Sequence, residues 1–521
     1  MTTVDMNEGH PAQQILSASS LTVNLSRPPK RFFRHGWQSW SLAAWTDLTP
    51  LPIQKPPILH PLQVDPAYAK ETHPHSSWVG AAELDNGTIV LLGSLGLNAH
   101  VFLNGNQLEG KYESGDGEWF IGQGDEATVF SKYADELEKR LRKKTDKPAP
   151  RVWSSWYSLY TGINEHLLYK VFDQLSDLPF DVLQVDDGWQ ISIGDWVANS
   201  KFPSGMAALA DKIKSTGRKA GLWMAPFIAV KSSKLFQEHR DWFLRNEQGK
   251  FVSAGFNWGE EVYALDTTHP AALEWLAALM NQVRSWGFDY LKLDFLFGSA
   301  LPGKRYQDMP RETACRNGLK VMHEAMGDDA YFLACGAPIL PSLGLCDALR
   351  IGPDVSGYWE DYRNAVLLYN QTTPSAKNAI RTTLNRFWLN PLVQLDPDAA
   401  YFRSVECTLT AEQKSLLQNL ALICGYKATS DLPQWLTPDE KKSLHSFLEN
   451  KPNVKQISRY VFQINDRIVD FNSAISLPNP PEGLGFLASQ GLGWLANQKW
   501  ALRIYDEINE RMRGGRKIET T

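Results

Sequence analysis

Two apolar segments constrain the fold of this chain more than any other feature: Val182–Gln190 (VLQVDDGWQ) and Tyr290–Gly298 (YLKLDFLFG). Each begins as a mostly apolar run and then reaches an aspartate. Such runs are typical of strands that are buried on both faces in a parallel sheet. In α/β barrels the chemistry lies at the C-terminal ends of the strands. The two segments therefore predict a barrel enzyme whose site is lined by carboxylates.

The length of 521 residues exceeds what one hydrophobic core usually supports, so several domains are expected. Before residue 140, short runs alternate apolar and polar residues between turn signals such as Asn86–Gly87 and Asn104–Gly105, which indicates antiparallel strands. Alternation returns in Tyr460–Asn472 and Lys499–Glu507. The prediction is an α/β barrel (TIM-type catalytic domain) over residues 141–430, an N-terminal β-sandwich over 1–140 and a small C-terminal β domain over 431–521.

The middle of the chain alternates short apolar runs with amphipathic stretches, as the βα units of a parallel barrel do. Helices are predicted at Ala134–Lys144, His166–Leu175, Pro270–Gly287 and Thr313–Met326. The eight predicted barrel strands are Val152–Ser158, Val182–Asp187, Ala220–Pro226, Tyr290–Phe295, Tyr331–Cys335, Ala348–Asp354, Phe387–Asn390 and Leu420–Gly425.

Charge and cysteine usage exclude several classes of protein. A net charge of −5 and a pI near 6.2 offer no basic face, so nucleic acid is not an expected partner. The chain has neither a leader-like start nor an apolar segment long enough for a bilayer, so a cytoplasmic location without membrane contact is expected. Five cysteines without CxxC spacing predict neither a disulfide framework nor a zinc site, and no cofactor is expected.

Four aspartates are predicted to converge at one end of the barrel: Asp186, Asp187, Asp294 and Asp354. Such a cluster is costly through repulsion and desolvation. It can be compensated by a divalent cation, or put to use in glycoside hydrolysis, where one carboxylate attacks and another donates a proton. Few histidines lie in these segments. The neighbours are rings and fixed cations, which favour a sugar: Trp156, Tyr157, Trp189, Trp223, Lys292 and Arg350.

Ordered motifs between Val152 and Gly425 resemble a known barrel. They are WSSWYS, LQVDDGWQ with IGDW and KFPSGM behind it, GLWMAPF, YLKLDF, ACGAP, LRIGPDVSGYW and WLN…DPD. The series resembles the catalytic barrel of glycoside hydrolase family 36, the retaining α-galactosidases. The resemblance implies that Asp294 is the nucleophile and Asp354 the general acid/base. It also implies that Asp186 and Asp187 hold the O4 and O6 hydroxyls of a terminal galactose.

The neighbours of the two implied catalytic aspartates agree with these roles. Lys292 lies two residues before Asp294 on the same strand face, where an ammonium favours the ionised carboxylate. Arg350 precedes Asp354 by four residues, but apolar and aromatic neighbours and the charge of Asp294 oppose ionisation of Asp354, which suits a proton donor. A structural ion pair is the alternative for both Lys292 and Arg350.

The resemblance implies further contacts with the sugar. Trp223 and Trp156 would line its subsite together with Tyr157, and the Cys335–Gly336 loop would lie near the 2-hydroxyl. The N-terminal segment HGWQSWS (residues 35–41) would lend Trp37 or Trp40 to the rim of the site, with packing between sandwich and barrel as the alternative.

One motif departs from the family pattern. The WLN and DPD elements are contiguous in the family, whereas here residues are inserted between Asn390 and Asp396. With a seventh strand at Phe387–Asn390, the insertion is predicted to be a loop that follows this strand and reshapes the outer subsites.

The predicted function is that of an exo-acting retaining α-galactosidase, which acts on small-molecule α-galactosides through a covalent galactosyl-enzyme. An α-N-acetylgalactosaminidase and a galactosyl transferase of the raffinose-synthase kind use the same chemistry. A metal-assisted barrel hydrolase and a sugar-binding protein without catalysis are alternatives from other classes. The sequence makes no prediction of oligomeric state.

Overall fold

The computed structural model describes residues 2–6, 13–48, 64–141, 144–361, 371–477, 483–496, 498 and 500–504. Antiparallel sheets fill the N-terminal part, a parallel barrel the middle and a small antiparallel sheet the C-terminal part. Among the described residues, no helix combines the length and the apolar character needed to cross a membrane.

The N-terminal part is a β-sandwich of two sheets, as predicted. The first has the order Thr2–Asp5, Ser20–Asn24, Gln107–Tyr112, Ala99–Asn104 and His75–Ser77. The second has the order Gln13–Ala18, Gly117–Gly124, Ile89–Ser94, Val79–Leu84, Pro29–His35 and Ala43–Asp47. Side chains such as Leu21, Val101 and Trp119 fill the space between the sheets. All strand pairs are antiparallel except Thr2–Asp5 with Ser20–Asn24.

A helix at Glu126–Arg140 joins the sandwich to the barrel. It begins at Asp125, whose side chain accepts a hydrogen bond from the Thr128 N–H at 3.0 Å. Its apolar face buries Phe130, Tyr133 and Leu137 in the core that continues into the barrel. The helical pattern predicted at Ala134–Lys144 is the second half of this helix, and residues 142 and 143 lie outside the described chain.

Eight parallel strands form the barrel. They are, in chain order, Arg151–Ser154, Val182–Val185, Lys219–Met224, Tyr290–Leu293, Tyr331–Ala334, Ala348–Arg350, Gln394–Asp396 and Lys427–Thr429. We number them barrel strands 1 to 8. Strand 8 pairs with strand 1, and a bridge between Ala399 and Ala428 closes the circle just beyond strand 7. The first six predicted strands are confirmed.

The predictions of strands 7 and 8 are wrong. Phe387–Leu389 is a 3₁₀ turn, and the predicted strand Leu420–Gly425 lies at the end of the helix Ala411–Cys424. A buried helix and a buried strand give the same continuous apolar run, so periodicity alone does not separate them. The capping box at Thr410 and the left-handed Gly425 mark the helix. The residues inserted after Asn390 therefore include strand 7. The prediction that they form a loop following strand 7 is wrong.

Helices surround the barrel, and small sheets extend its C-terminal end. The longer barrel helices are Glu165–Gln174, Gly205–Ser215, Pro270–Ser285, Arg311–Met326, Ala376–Asn385 and Ala411–Cys424. Short helices occur at Trp156–Leu159, Lys234–Glu238 and Ile339–Ser342. A hairpin of Gln190–Ser192 and Asp195–Ala198 follows strand 2. A three-stranded sheet of Ile228–Val230, Glu260–Ala264 and Ser253–Asn257 follows strand 3.

The C-terminal part begins with the helix Pro438–Glu449 and continues into the antiparallel sheet Val454–Ser458, Val461–Ile464 and Arg467–Asp470, as Tyr460–Asn472 predicts. A further helix spans Gly483–Ala496. The strand prediction at Lys499–Glu507 is wrong where it can be compared, because residues 500–504 are helical. Residues 499 and 505–507 of that prediction lie outside the described chain.

Candidate active site

The barrel places the four predicted aspartates beyond the C-terminal ends of its strands. Asp186 and Asp187 follow strand 2, Asp294 follows strand 4, and Asp354 lies four residues beyond the end of strand 6. Adjacent side chains in a regular strand point to opposite faces. Because strand 2 ends at Val185, this rule does not apply to Asp186 and Asp187. The geometry therefore brings these acids to one mouth of the barrel.

Asp294 is held as a hydrogen-bond acceptor. The Trp223 indole Nε1–H donates to its Oδ2 at 3.0 Å, and the Phe295 backbone N–H donates to its Oδ1 at 2.8 Å. Phe295 has a φ of 52°, a left-handed conformation that is unusual for an aromatic residue. Hydrogen bonds from N–H groups stabilise the charged form of a carboxylate. The Trp189 indole in turn donates to the Trp223 carbonyl at 3.0 Å and supports that ring.

Lys292 pairs with Asp186 rather than with Asp294. Its Nζ lies 2.9 Å from Asp186 Oδ2, and both side chains are buried. Burial lowers the pKa of Lys292, but the charge of Asp186 together with contributions from Cys335 and Asp294 outweighs it, so the pKa is above its ordinary value. Asp186 also accepts from Gln184 Nε2 at 2.5 Å. The ion pair that was the alternative for Lys292 is thus present within the site.

Asp187 is held from two sides. Gln190 Nε2 donates to its Oδ1 at 2.5 Å, and the Trp258 indole Nε1–H donates to its Oδ2 at 2.8 Å. Trp258 comes from the sheet that follows strand 3. It lies 71 residues from Asp187 in the sequence.

Asp354 lies in a cluster of acids centred on Arg350. Its side chain is 35% exposed, and its Oδ1 lies 3.3 Å from Arg350 Nη1. The same guanidinium contacts Asp396 Oδ2 through Nε at 2.8 Å and Asp398 Oδ2 through Nη1 at 2.9 Å. Although part of the side chain is exposed, the surrounding barrel mouth desolvates the carboxyl group; this desolvation and the charge of Asp398 raise the pKa of Asp354 to about 7, while Arg350 and Lys292 act to lower it. Asp354 is therefore suited to hold a proton near neutral pH.

Asp398 is fixed by three groups from two parts of the chain. Its Oδ2 accepts hydrogen bonds from the Tyr157 hydroxyl and, at 2.9 Å, from the Val355 N–H, in addition to the Arg350 contact. Tyr157 is buried, and it contacts the site through its hydrogen bond to Asp398. Trp156, the other residue predicted after strand 1, is partly buried and packs edge-on against Tyr160 at 5.1 Å.

The Cys335–Gly336 loop lies beside Asp294. Gly336 has a φ of 49°, and a β-carbon added there would lie 3.1 Å from Asp294 Oδ1 and 3.0 Å from the Trp40 ring. Burial raises the pKa of the Cys335 thiol well above its usual value, and the Asp294 charge adds to this. The thiol is thus held neutral.

The two N-terminal tryptophans have different surroundings. Trp40 packs edge-on against Phe295 at 5.1 Å and approaches Gly336, so it lies beside the candidate nucleophile. Trp37 is buried, with its ring 6.2 Å from that of Phe297 and 5.8 Å from the Arg311 guanidinium. These contacts are those of packing between the sandwich and the barrel. The loop is anchored to the barrel by Arg386, which donates to the carbonyls of Gly36, Gln38, Ser39 and Ile351 at 2.6–3.0 Å.

Sequence reasoning missed three contributors to the site. Asp396 and Asp398 belong to a motif that was recognised, but the misplaced strand 7 hid their position at a strand end. The run that contains Gln394–Asp396 ends in aspartate like strands 2 and 4, and this signal could have identified them. Trp258 carries no comparable signal, because it reaches Asp187 only through tertiary folding.

The described residues contain no group of three or more His, Cys, Asp or Glu side chains arranged to hold a metal ion. The acids at the barrel mouth contact Lys292, Arg350 and N–H donors instead. All five cysteines are free thiols.

Comparisons with known proteins agree with this site. The melibiase family profile matches residues 122–321. Among curated relatives, α-galactosidase 1 of Pediococcus pentosaceus is 29% identical over 171 residues, which cover 30% of this chain and 23% of the relative. The α-galactosidase Mel36A of Lactobacillus acidophilus is 33% identical over 116 residues, which cover 20% of this chain and 16% of the relative. These matches thus span less than a quarter of the curated relatives.

A solved structure matches over nearly its whole length. The α-galactosidase TtGalA from Thermus thermophilus, in complex with p-nitrophenyl α-D-galactopyranoside, has a TM-score of 0.83 and 43% identity, covering 90% of this chain and 96% of that one. The family 36 α-galactosidase AgaA from Geobacillus stearothermophilus, at 15% identity and a TM-score of 0.56, shares the fold, with 82% of this chain and 61% of that one covered. The fold, the site and these matches are those of a glycoside hydrolase. The chain belongs to the melibiase family, the α-galactosidases of glycoside hydrolase family 36.

Proposed function

We propose that the protein is an exo-acting retaining α-galactosidase that hydrolyses terminal α-galactosyl groups of small oligosaccharides. The observation that carries the proposal is the contrast between Asp294, which accepts two N–H hydrogen bonds, and Asp354, whose pKa is raised to about 7. Two carboxyl groups with opposed environments are the acid/base and nucleophile pair of a glycosidase. TtGalA has been solved with p-nitrophenyl α-D-galactopyranoside and with stachyose, which supports this substrate class.

In the first step Asp294 attacks the anomeric carbon while Asp354 donates its proton to the glycosidic oxygen. The bond between the anomeric carbon and that oxygen breaks, and a β-galactosyl ester of Asp294 forms. In the second step Asp354 removes a proton from water as the water oxygen attacks the anomeric carbon. Asp294 leaves as the carboxylate, Asp354 is protonated again, and the product keeps the α configuration.

Recognition of galactose rests on Asp186 and Asp187. Both are buried, and we propose that their carboxylates accept hydrogen bonds from O4 and O6 of the terminal sugar. A glucoside would present an equatorial O4 and leave a buried acceptor unsatisfied, which costs about 1–3 kcal/mol or more for a charged group. Trp223, Trp156, Trp40 and the Cys335–Gly336 loop would supply the apolar and close-fitting walls of the same subsite.

The proposal is tested by comparing aryl α-galactoside with aryl α-glucoside, and by following the first-formed sugar by NMR. The galactoside should be cleaved at least about a hundredfold faster, since the equatorial O4 of a glucoside does not reach an acceptor placed for the axial hydroxyl. The initial product should be α-galactose, which then mutarotates. Preference for the glucoside would refute the hydroxyl clamp, and β-galactose as the initial product would refute retention.

A further inference from the structure

A two-residue turn beyond barrel strand 3 carries a tryptophan into the site. The strands Ser253–Asn257 and Glu260–Ala264 pair with Asn257 opposite Glu260, so Trp258 and Gly259 form the turn. Their φ values are 53° and 74°, as in a type I′ turn. The first position of this turn favours Asn, Asp or Gly, and a tryptophan there is strained. Strain of this kind persists where surrounding contacts impose it, and it concentrates at functional sites.

The Trp258 side chain contacts Asp187 and lies beside two residues that donate to Asp294. Its Nε1–H donates to Asp187 Oδ2 at 2.8 Å. Its ring lies 6.4 Å from that of Trp223 and 5.2 Å from that of Phe295. Trp223 and Phe295 are the residues that donate hydrogen bonds to Asp294. The indole therefore stands between the proposed sugar clamp and the supports of the proposed nucleophile.

The hydrogen bond fixes the orientation of the Asp187 carboxylate. The bond to Trp258 holds Oδ2, and the bond from Gln190 at 2.5 Å holds Oδ1. The torsion about Cβ–Cγ of an aspartate is otherwise broad, so a carboxylate held through one oxygen can turn out of the plane that a substrate requires. Preorganisation of an acceptor is what makes it discriminate between substrates.

We propose that Trp258 is a positioning residue that sets galactose specificity by orienting Asp187. This inference rests on the proposed α-galactosidase function and extends it to a residue outside the recognised motifs. The strained turn is retained because it places the indole N–H at Asp187 Oδ2. Loss of that N–H should weaken recognition of the hydroxyl that Asp187 binds, while substrates without this hydroxyl lose little.

The test compares Trp258→Phe with Trp242→Phe. Trp242 lies in the same connection between strands 3 and 4, where it stacks on His239 at 3.9 Å. Trp242→Phe also removes one indole N–H and is therefore the matched control. The substrates are the aryl α-galactoside and its 4-deoxy and 6-deoxy analogues, with kcat/KM and the thermal midpoint measured for each protein. Trp258→Tyr is a second variant without the indole N–H, in case phenylalanine unfolds the turn.

Trp258→Phe should lower kcat/KM for the galactoside by about 10- to 100-fold, the range for one hydrogen bond to a charged group. The preference for the galactoside over the deoxy analogue that lacks the bound hydroxyl should fall by a similar factor. Trp242→Phe should leave both quantities within about twofold of wild type. In an Asp187→Asn background, Trp258→Phe should cost less than about twofold further.

Equal losses on all three substrates, or an undiminished loss in the Asp187→Asn background, would overturn the proposal and assign Trp258 to support of the turn or of Asp294. Failure of the proposed function is seen separately, since wild-type protein would then not cleave the α-galactoside at all.

Discussion

The two sides of the barrel mouth contain the same charges but distribute their hydrogen bonds differently. The side of strands 2 and 4 has three carboxylates, Asp186, Asp187 and Asp294, and one ammonium, Lys292, which pairs with Asp186. On the side of strands 6 and 7, three carboxylates surround one guanidinium: Asp354, Asp396, Asp398 and Arg350. On the first side each acid has its own donors, including Gln184 for Asp186 and Trp223 for Asp294.

On the second side the donors are concentrated on two of the three acids. Asp396 receives Arg350 Nε, and Asp398 receives Arg350 Nη1, the Val355 N–H and the Tyr157 hydroxyl. Within the described chain, the side chain of Asp354 has only the 3.3 Å contact to Arg350. The difference teaches that charge count alone does not set the state of a carboxyl group. Asp354 has the fewest donors, and the charges of Asp398 and Asp294 oppose its ionisation, so it is the acid best able to keep a proton.

The largest expected effects separate Asp294 from Asp354. Asp294→Ala removes the nucleophile, so activity should fall by more than about 10³-fold with every leaving group, and azide should restore turnover to the β-galactosyl azide. Asp354→Ala removes only the proton donor and base. An activated aryl galactoside should still form the intermediate, and azide should speed its breakdown to the α-galactosyl azide.

NMR of the two azide adducts makes the decision. Opposite anomers from the two variants support the assignment. An α-azide from Asp294→Ala would show that the two roles are reversed. The nucleophile would then lie on the side of strands 6 and 7, and the proton donor on the side of strands 2 and 4.

The next effect concerns the clamp on the first side. Asp187→Ala should lower kcat/KM for the α-galactoside by about 10²-fold or more, because it removes a charged hydrogen-bond partner of the substrate. Gln190→Ala, which deletes a neighbour of Asp187 and not the carboxylate, should cost about tenfold or less. Steady-state kinetics on both variants checks the order, and near wild-type activity of Asp187→Ala would dismiss the clamp.

A smaller effect is expected where the two domains meet beside Asp294. Gly336→Ala would place a methyl group 3.1 Å from Asp294 Oδ1 and 3.0 Å from the Trp40 ring, at a φ of 49° that favours glycine. We expect about a tenfold loss of kcat/KM with a thermal midpoint lowered by a few degrees. Gly425→Ala, also at positive φ but with open space for a methyl group, is the control, and should lower stability without lowering kcat/KM.

The sequence predicted the first side of the site better than the second. Strands 2 and 4 are apolar runs with an aspartate directly after them, so Asp186, Asp187 and Asp294 followed directly from pattern and position. Strand 7 has only three residues and follows a 3₁₀ turn whose apolar residues resemble a strand, so Asp396 and Asp398 were not placed at the barrel mouth. Trp258 depends on a turn that contradicts its local preference, and only tertiary contacts reveal such a residue.

The smallest predicted effect tests the second side through pH. Asp354 must be protonated to donate to the leaving group, so activity should fall as pH rises through its pKa of about 7. The Asp398 charge raises that pKa, so Asp398→Asn should lower it and shift the alkaline limb of kcat/KM to lower pH by about one unit. Asparagine keeps the carbonyl oxygen that can accept from the Val355 N–H. Tyr157→Phe, which removes a neutral donor to Asp398 without changing the charge near Asp354, should move the alkaline limb by much less.

If Asp398→Asn leaves the alkaline limb in place, or moves it to higher pH, then the excess of carboxylates on this side does not hold the proton on Asp354. The contrast between the two sides would then have to rest on hydrogen bonds to Asp294 alone.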